Sequence, residues 1–225
     1  FARPPADSYT LLMSTNGNLV LGPLLYKKLN YDVKRELDVI GVVAEVPTVI
    51  VSSPQVPATD LRQFGAYAKA NPGKINYASL GQGNVLFLVS KMLETELGIQ
   101  MTEVPYKGSS PALTAVLAND VQLMVDVLPS SLPFIRAGKL NALAVPGDSR
   151  LESLPNVPTI AEAGYRPFHA ASWLGLSVPA NTPANVVATL QAAIHKVTES
   201  PQFRQTFTTI GLVMLPPMSK PQIDS

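Results

Sequence analysis

Residues 76 to 84, NYASLGQGN, run a β-like stretch into Gly81-Gln82-Gly83-Asn84 and on into the apolar helical pattern VLFLVSKMLETEL. These residue types can hold an anion. Glycines let backbone approach a ligand, helix-start amides carry the positive end of the macrodipole, and Ser79 and Asn84 add side-chain hydrogen bonds. On this reading the amides of residues 81 to 85 grip a carboxylate or other small anion. The competing reading is a plain strand-to-helix turn capped by Asn84. The residues argue against nucleotide binding. A dinucleotide fingerprint needs a third glycine where Leu86 stands, and a phosphate loop needs Gly-Lys-Ser/Thr where the chain has Gly83-Asn84-Val85.

Asp126 is the second candidate. It lies near the C-terminal end of the apolar run VQLMVDVLP, the end at which open α/β sheets bind ligands. A carboxylate there must be paired or hydrogen-bonded. It either receives a ligand's amine or hydroxyl or caps the segment Pro129–Ala137. Ser14, Thr15 and Asn16, in STNG, offer hydroxyl and amide groups after another strand, or form an Asx-type turn. Tyr106-Lys107-Gly108 offers an aromatic wall and a cation, although a lone lysine is more often solvated. Trp173 reads as core. His169 and His195 are the only histidines, and no His/Asp/Glu group has metal-ligand spacing. The runs GSSPA and PSSLP lack the glycines of a nucleophile elbow. Nothing in the chain asks for catalysis, a metal or a cofactor.

The elements that position these groups alternate. Short, Val-rich runs at Tyr9–Met13, Val39–Val43, Thr48–Val51, Lys74–Ala78, Val121–Val127, Ala142–Val145 and Leu174–Val178 read as strands covered on both faces. Thr59 is the expected N-cap of DLRQFGAYAKA. Ser110-Pro111 and Thr182-Pro183 are the expected starts of two more helices, the second with Val186, Val187, Leu190, Ile194 and Val197 at a 3.6-residue period. Ser200-Pro201 begins a last helix that Gly211 closes. Such alternation predicts an α/β fold with mostly parallel sheets flanked by helices. PTVIVSSPQVPATDL and SWLGLSVPANTPANV each carry a strand, a proline exit and a capped helix, as paired crossings between two lobes do. This assigns residues 1–52 and 174–225 to one lobe and 53–173 to the other, with crossings near 48–54 and 173–179.

The chain has 225 residues, 46% hydrophobic, with 17 Lys and Arg against 16 Asp and Glu. A net charge of +1 lacks the concentrated basic face of a nucleic-acid or membrane-surface binder. The absence of cysteine excludes disulfides, thiolate metal sites and cysteine nucleophiles.

Taken together, DSYTLLMST, YASLGQGN, VPYKGSSPALTAVLANDVQLMVDVLPSSLPFIRAGKLNALAV, LPNVPTIAEAGY and SWLGLSVPANTPANVV resemble the extracytoplasmic receptors of tripartite tricarboxylate transporters, the Bug family. The resemblance implies a two-lobed, type II (Venus-flytrap) periplasmic binding protein without enzymatic activity or cofactor. It implies a monomer that closes on a di- or tricarboxylate, an acidic amino acid or an aromatic acid and delivers it to a membrane permease. Carried over residue by residue, the ligand-binding positions are Ser14, Thr15, Asn16, Ser79, Gly81, Gln82, Gly83, Asn84 and Asp126. The family's first strand and glycine-rich loop, upstream of its DGYTLL-like run, have no counterpart here, and its C-terminal helix is also expected beyond MSKPQIDS. Part of the carboxylate site is therefore expected outside this sequence. Asn84-Val85 also replaces the family's usual hydroxyl residue. Other classes remain: a ligand-sensing module of a regulatory system, or a hydrolase in which a serine meets His169 or His195.

Overall fold

A computed structural model describes residues 10–25, 28–81, 84–216, 218 and 222–223. The chain divides into two compact units: Phe1–Val46 with Ser172–Ser225 (the terminal unit), and Pro47–Ala171 (the central unit). The first division falls at Val46 rather than at residue 52.

In the terminal unit, β1 (Leu12–Ser14) pairs antiparallel with β7 (Ala171–Pro179), in the register Ser14 to Gly175. A π-helical turn, Gly17–Leu21, leads into α1 (Gly22–Leu25), and α2 (Val33–Glu36) precedes β2. The unit closes with α7 (Ala184–Thr198), α8 (Pro201–Thr209) and β8 (Val213–Met214), which pairs with β2 at Ala44 and Glu45.

The strand β2 (Leu37–Ser52) joins the two runs expected as separate strands and passes through the division between the units. Pro47 sits where it changes partners, from β8 at Ala44 and Glu45 to β5 at Thr48 through Ser52. A proline has no N–H to give a ladder and is tolerated where pairing is interrupted.

The central unit holds α3 (Leu61–Ala70), β3 (Asn76–Ser79), α4 (Val85–Leu97), β4 (Thr102–Pro105), α5 (Ser109–Ala118), β5 (Leu123–Val127), α6 (Leu128–Arg136) and β6 (Asn141–Ala144). Its strands run in the order β2-β5-β3-β4, with β6 also on β2. Only β3/β4 and β3/β5 are parallel, and every pair with β2 that has a stated register is antiparallel. The sheet is therefore mixed, not mostly parallel. β4 was missed because TEVP is short and polar at its edge.

The pleat divides the core in two. Ile50, Tyr77, Leu123 and Val125 face α3 and α4, where Leu61, Phe64, Ala68, Leu86, Val89, Leu93 and Leu97 fill the helix stripes. Val49, Val51, Ala78 and Met124 face α5 and α6, meeting Ala112, Leu113, Val116, Leu128 and Leu132. Each fully buried Leu, Val or Phe contributes about 1.5–3 kcal/mol of transfer free energy. Asp126 follows Met124 in the alternation, so it points to the α5 and α6 side.

Three helix starts differ from expectation by a residue or two. Asp60, not Thr59, caps α3, its carboxylate accepting from the Gln63 amide at 2.8 Å. Gly108 occupies the N-cap of α5 in place of Ser110, and Pro183 that of α7 in place of Thr182. Ser200 caps α8 as expected. In α7 the apolar period is present, but Val186, Val187, Leu190 and Ile194 are only half-buried and Val197 is exposed.

A candidate carboxylate site at the ends of β3, β4 and β5

The parallel strands β3, β4 and β5 end at one edge of the central sheet, and α4, α5 and α6 begin there. Register holds the edge together. Ser79 is level with Pro105, the Tyr106 amide donates to the Ser79 carbonyl at 2.8 Å, and Ala78 is level with Met124. From β3 the chain continues through α4 to β4, on one side. From β5 it continues through α6 to β6, which lies on β2, on the other side. The two connections diverge between adjacent strands, which is where open α/β sheets form a ligand crevice.

Among the described residues of the glycine loop, two of the three amides are engaged by the loop itself. The Gly81 amide donates to Ser79 Oγ at 3.0 Å, and the Asn84 amide to the Gly81 carbonyl at 3.1 Å. Asn84 Oδ1 accepts from the Leu86 amide at 2.9 Å, so Asn84 is an ordinary N-cap for α4. Of the described amides between 81 and 85, only that of Val85 has no acceptor among the described residues. Gln82 and Gly83 lie outside them. Gly81 itself, at φ +94°, has a conformation that L residues avoid, and no atom stands within 4 Å of where a Cβ would be. Among the described residues, the loop leaves room at the edge and uses two of its three backbone donors.

The free donors lie instead at α5, which has no side-chain cap. The amides of Ser109 and Ser110 meet no acceptor among the described residues, as expected of the first turn of a helix. Pro111 has no donor to satisfy. Gly108, at φ +109° with open space where a Cβ would stand, lets the chain turn into that helix. Helix α6 likewise lacks a side-chain cap and carries Pro129 in its first turn. Two uncapped helix starts at the end of a sheet form an electropositive edge suited to a carboxylate.

Asp126 lies beneath this edge, wholly buried. Ser109 Oγ donates to its Oδ1 and Ser131 Oγ to its Oδ2, each at 2.6 Å. Burial pushes its carboxyl above the ordinary carboxylate range, opposed by these hydroxyls and by the Val127 amide. Its oxygens are taken by the protein's own hydroxyls, and it ties the first turn of α5 to α6. Ser109 and Ser131 were missed. Their traces in the sequence are the Ser pairs of GSSPA and PSSLP, which lack the glycines of a nucleophile elbow and say nothing of a shared carboxylate.

The other candidates lie in the terminal unit. Ser14 is buried, its Oγ 2.6 Å from that of Ser177. The Thr15 amide donates to Asn18 Oδ1 at 2.8 Å, and Asn16 Oδ1 accepts from Ser172 Oγ at 2.7 Å. These bonds fasten the turn after β1 to β7. Lys107 is exposed, and Trp173 is half-buried rather than core. His169 Nδ1 is 3.6 Å from Asp148 Oδ2. Among the described residues, no cluster of His, Asp and Glu is suited to a metal.

A family model described as "Tripartite tricarboxylate transporter family receptor" matches residues 1–222. The chain belongs to this receptor family. A protein of Pseudomonas sp. strain P51, from the tcbD-tcbE intergenic region, is 34% identical over 212 residues, 94% of this chain and 63% of its own. Protein BugT of Bordetella pertussis is 32% identical over 211 residues, 93% of this chain and 65% of its own. The chain thus spans under two thirds of these relatives. Among solved structures, R. palustris Rpa4515 with adipate superposes with a TM-score of 0.91 at 31% identity, covering 99% of this chain and 74% of that one. MatC of Rhodopseudomonas palustris with bound malate gives 0.83 at 30% identity, covering 94% and 72%. These neighbours bear out the α/β binding-protein fold and the receptor class that the sequence implied. The described residues contain no helix long and apolar enough to cross a membrane.

Proposed function

We propose that the full-length protein is an extracytoplasmic receptor that binds a small carboxylate and delivers it to a tripartite-type permease. The carrying observation is the uncapped start of α5, whose Ser109 and Ser110 amides are unmatched at the edge where β3, β4 and β5 end. The adipate and malate bound to family members in solved structures support the ligand class. On this reading the carboxylate accepts from these amides and from that of Val85. The open ground above Gly81 admits the rest of the molecule. In the terminal unit, taken by itself, Ser14, Thr15 and Asn16 are proposed as ligand-binding positions.

The test is a thermal-shift and calorimetric panel on the full-length protein. It contains di- and tricarboxylates, acidic amino acids and aromatic acids, each beside its neutral amide. At a hundred times the dissociation constant, a bound acid stabilises the folded state by about 2.7 kcal/mol. The amides should shift nothing. If no acid raises the melting temperature, or acid and amide act alike, the reading is wrong.

A further inference from the structure

A cleft of about 1020 Å³ opens in the central unit between the C-terminal ends of α3 and α4. It lies at the start of β4, the opposite end of that strand from the uncapped start of α5. Lys69 and Lys91 stand on its walls beside Glu94, and Ile99 and Met101 add apolar surface. Both Glu94 oxygens are engaged, Oε1 by the Met101 amide and Oε2 by Lys91 Nζ, each at 2.6 Å. Lys69 meets no acceptor among the described residues, so the lining carries one positive charge without a counterpart. Tyr77 gives a second, independent sign. Its hydroxyl is buried and has no hydrogen-bond partner among the described residues, a condition that native interiors seldom leave unexplained. Lys91 Nζ stands over its ring, 5.5 Å from the centroid. The charged groups that act on the phenol are Lys91, Glu103 and Glu94, and the first and last of these line the cleft. Burial raises the phenol above its ordinary value, so it keeps its proton at neutral pH. Lys91 can only donate and gives that proton no acceptor.

We infer that this cleft is a second ligand site, separate from the carboxylate edge, and that it takes a small organic anion with an apolar body. The anionic group accepts from Lys69 and Lys91 and from the Tyr77 hydroxyl, and Ile99 and Met101 cover the body. Reaching the hydroxyl displaces only the Lys91 side chain, which is 45% exposed. The size suits a small-molecule site, and its few polar groups stand among apolar ones as such sites require. The C-terminal ends of α3 and α4 turn negative partial charge toward the cleft and weaken its attraction for anions. A bare inorganic ion therefore gains little there. An anion that also buries apolar surface and satisfies the Tyr77 proton gains more.

The experiment is calorimetry on the full-length protein with naphthalene-2-sulfonate as probe, beside its neutral sulfonamide and inorganic sulfate. The sulfonate should bind at least about tenfold tighter than either control. Lys69→Met and Lys91→Met should each weaken it by about tenfold, and Tyr77→Phe by about threefold or more. Removing a buried hydroxyl that has no partner costs the free protein nothing, so Tyr77→Phe should lose affinity at an unchanged melting temperature. Three results overturn the inference: no sulfonate binding at millimolar concentration, controls that bind as well as the sulfonate, or an affinity that any one of the three variants leaves unchanged. A Tyr77→Phe protein that melts lower and binds the sulfonate as before would show that the hydroxyl serves only the fold. The carboxylate panel is decided separately. Lys69→Met should leave the affinity for its tightest acid unchanged, and a panel in which no acid binds overturns the receptor reading without touching the sulfonate result.

Discussion

The central and terminal units are built from similar elements and finished differently. Both buried apolar clusters are composed only of central-unit residues, from Val49 to Ala170. Among the described residues, eight of the nine large apolar side chains that remain exposed, among them Leu11, Met13, Leu24 and Val213, belong to the terminal unit; the ninth is Met92. The helices show the same contrast. In the central unit, α4 buries five residues, whereas α7, two residues longer, buries only Thr198. An amphipathic period thus shows that a helix has an apolar face, while burial depends on what packs against it. In the described chain the central unit supplies both sides of its sheet, and the terminal unit leaves apolar surface uncovered.

The strongest way to break this comparison is a core truncation. Phe64→Ala, at a site without solvent exposure, should cost about 3–5 kcal/mol in chemical denaturation. A loss below 1 kcal/mol would mean that the central core is not the unit's main support. Next comes the edge. Gly108→Ala should cost about 1–2 kcal/mol, from forcing an L residue to φ +109° rather than from a clash, since the space is open. A neutral result would show that the turn relaxes.

How much of this was legible beforehand can be judged from particular residues. The strand-helix alternation and the stripes of α3 and α4 could be read, because period and burial coincide where a helix packs on a sheet. β2 could not, because Pro47 reads as a break when its pairing partners, at Val127 and Met214, are remote in sequence. The site was half legible. Asn84 and Asp126 were picked for the right end of their strands, yet their roles depend on partners that spacing does not reveal. Asn84 Oδ1 faces its own helix, and Asp126 meets hydroxyls from two different helices.

Asp126 also provides a pH test of that last point. Its folded carboxyl titrates above the unfolded one, so it contributes stability that is present at low pH and lost as pH rises through the folded value. Relative to Asp126→Asn, the natural chain should gain stability on acidification from neutral pH, with a slope of at most about 1.4 kcal/mol per pH unit for one proton. Denaturation curves for both proteins across that range check the sign. The opposite slope would mean that hydrogen bonding outweighs burial. Asp60→Ala should remove the α3 cap for about 1 kcal/mol. The smallest effect belongs to the terminal unit. Leu24→Ser, at a side chain 76% exposed, should change stability by no more than about 0.5 kcal/mol.

The three groups that meet at Asp126 all come from residues 109 to 131, whereas the bond from Thr48 Oγ1 to the Ala170 carbonyl joins positions 122 apart. Short loops close at lower entropic cost than long ones. The knot at Asp126 is therefore expected to form early, with α5 and α6 already fastened before the chain's distant halves meet. In pulse-labelled exchange during refolding, amides of α5 and α6 should gain protection ahead of Ala170, and simultaneous protection would show that the order of assembly is not set by loop length.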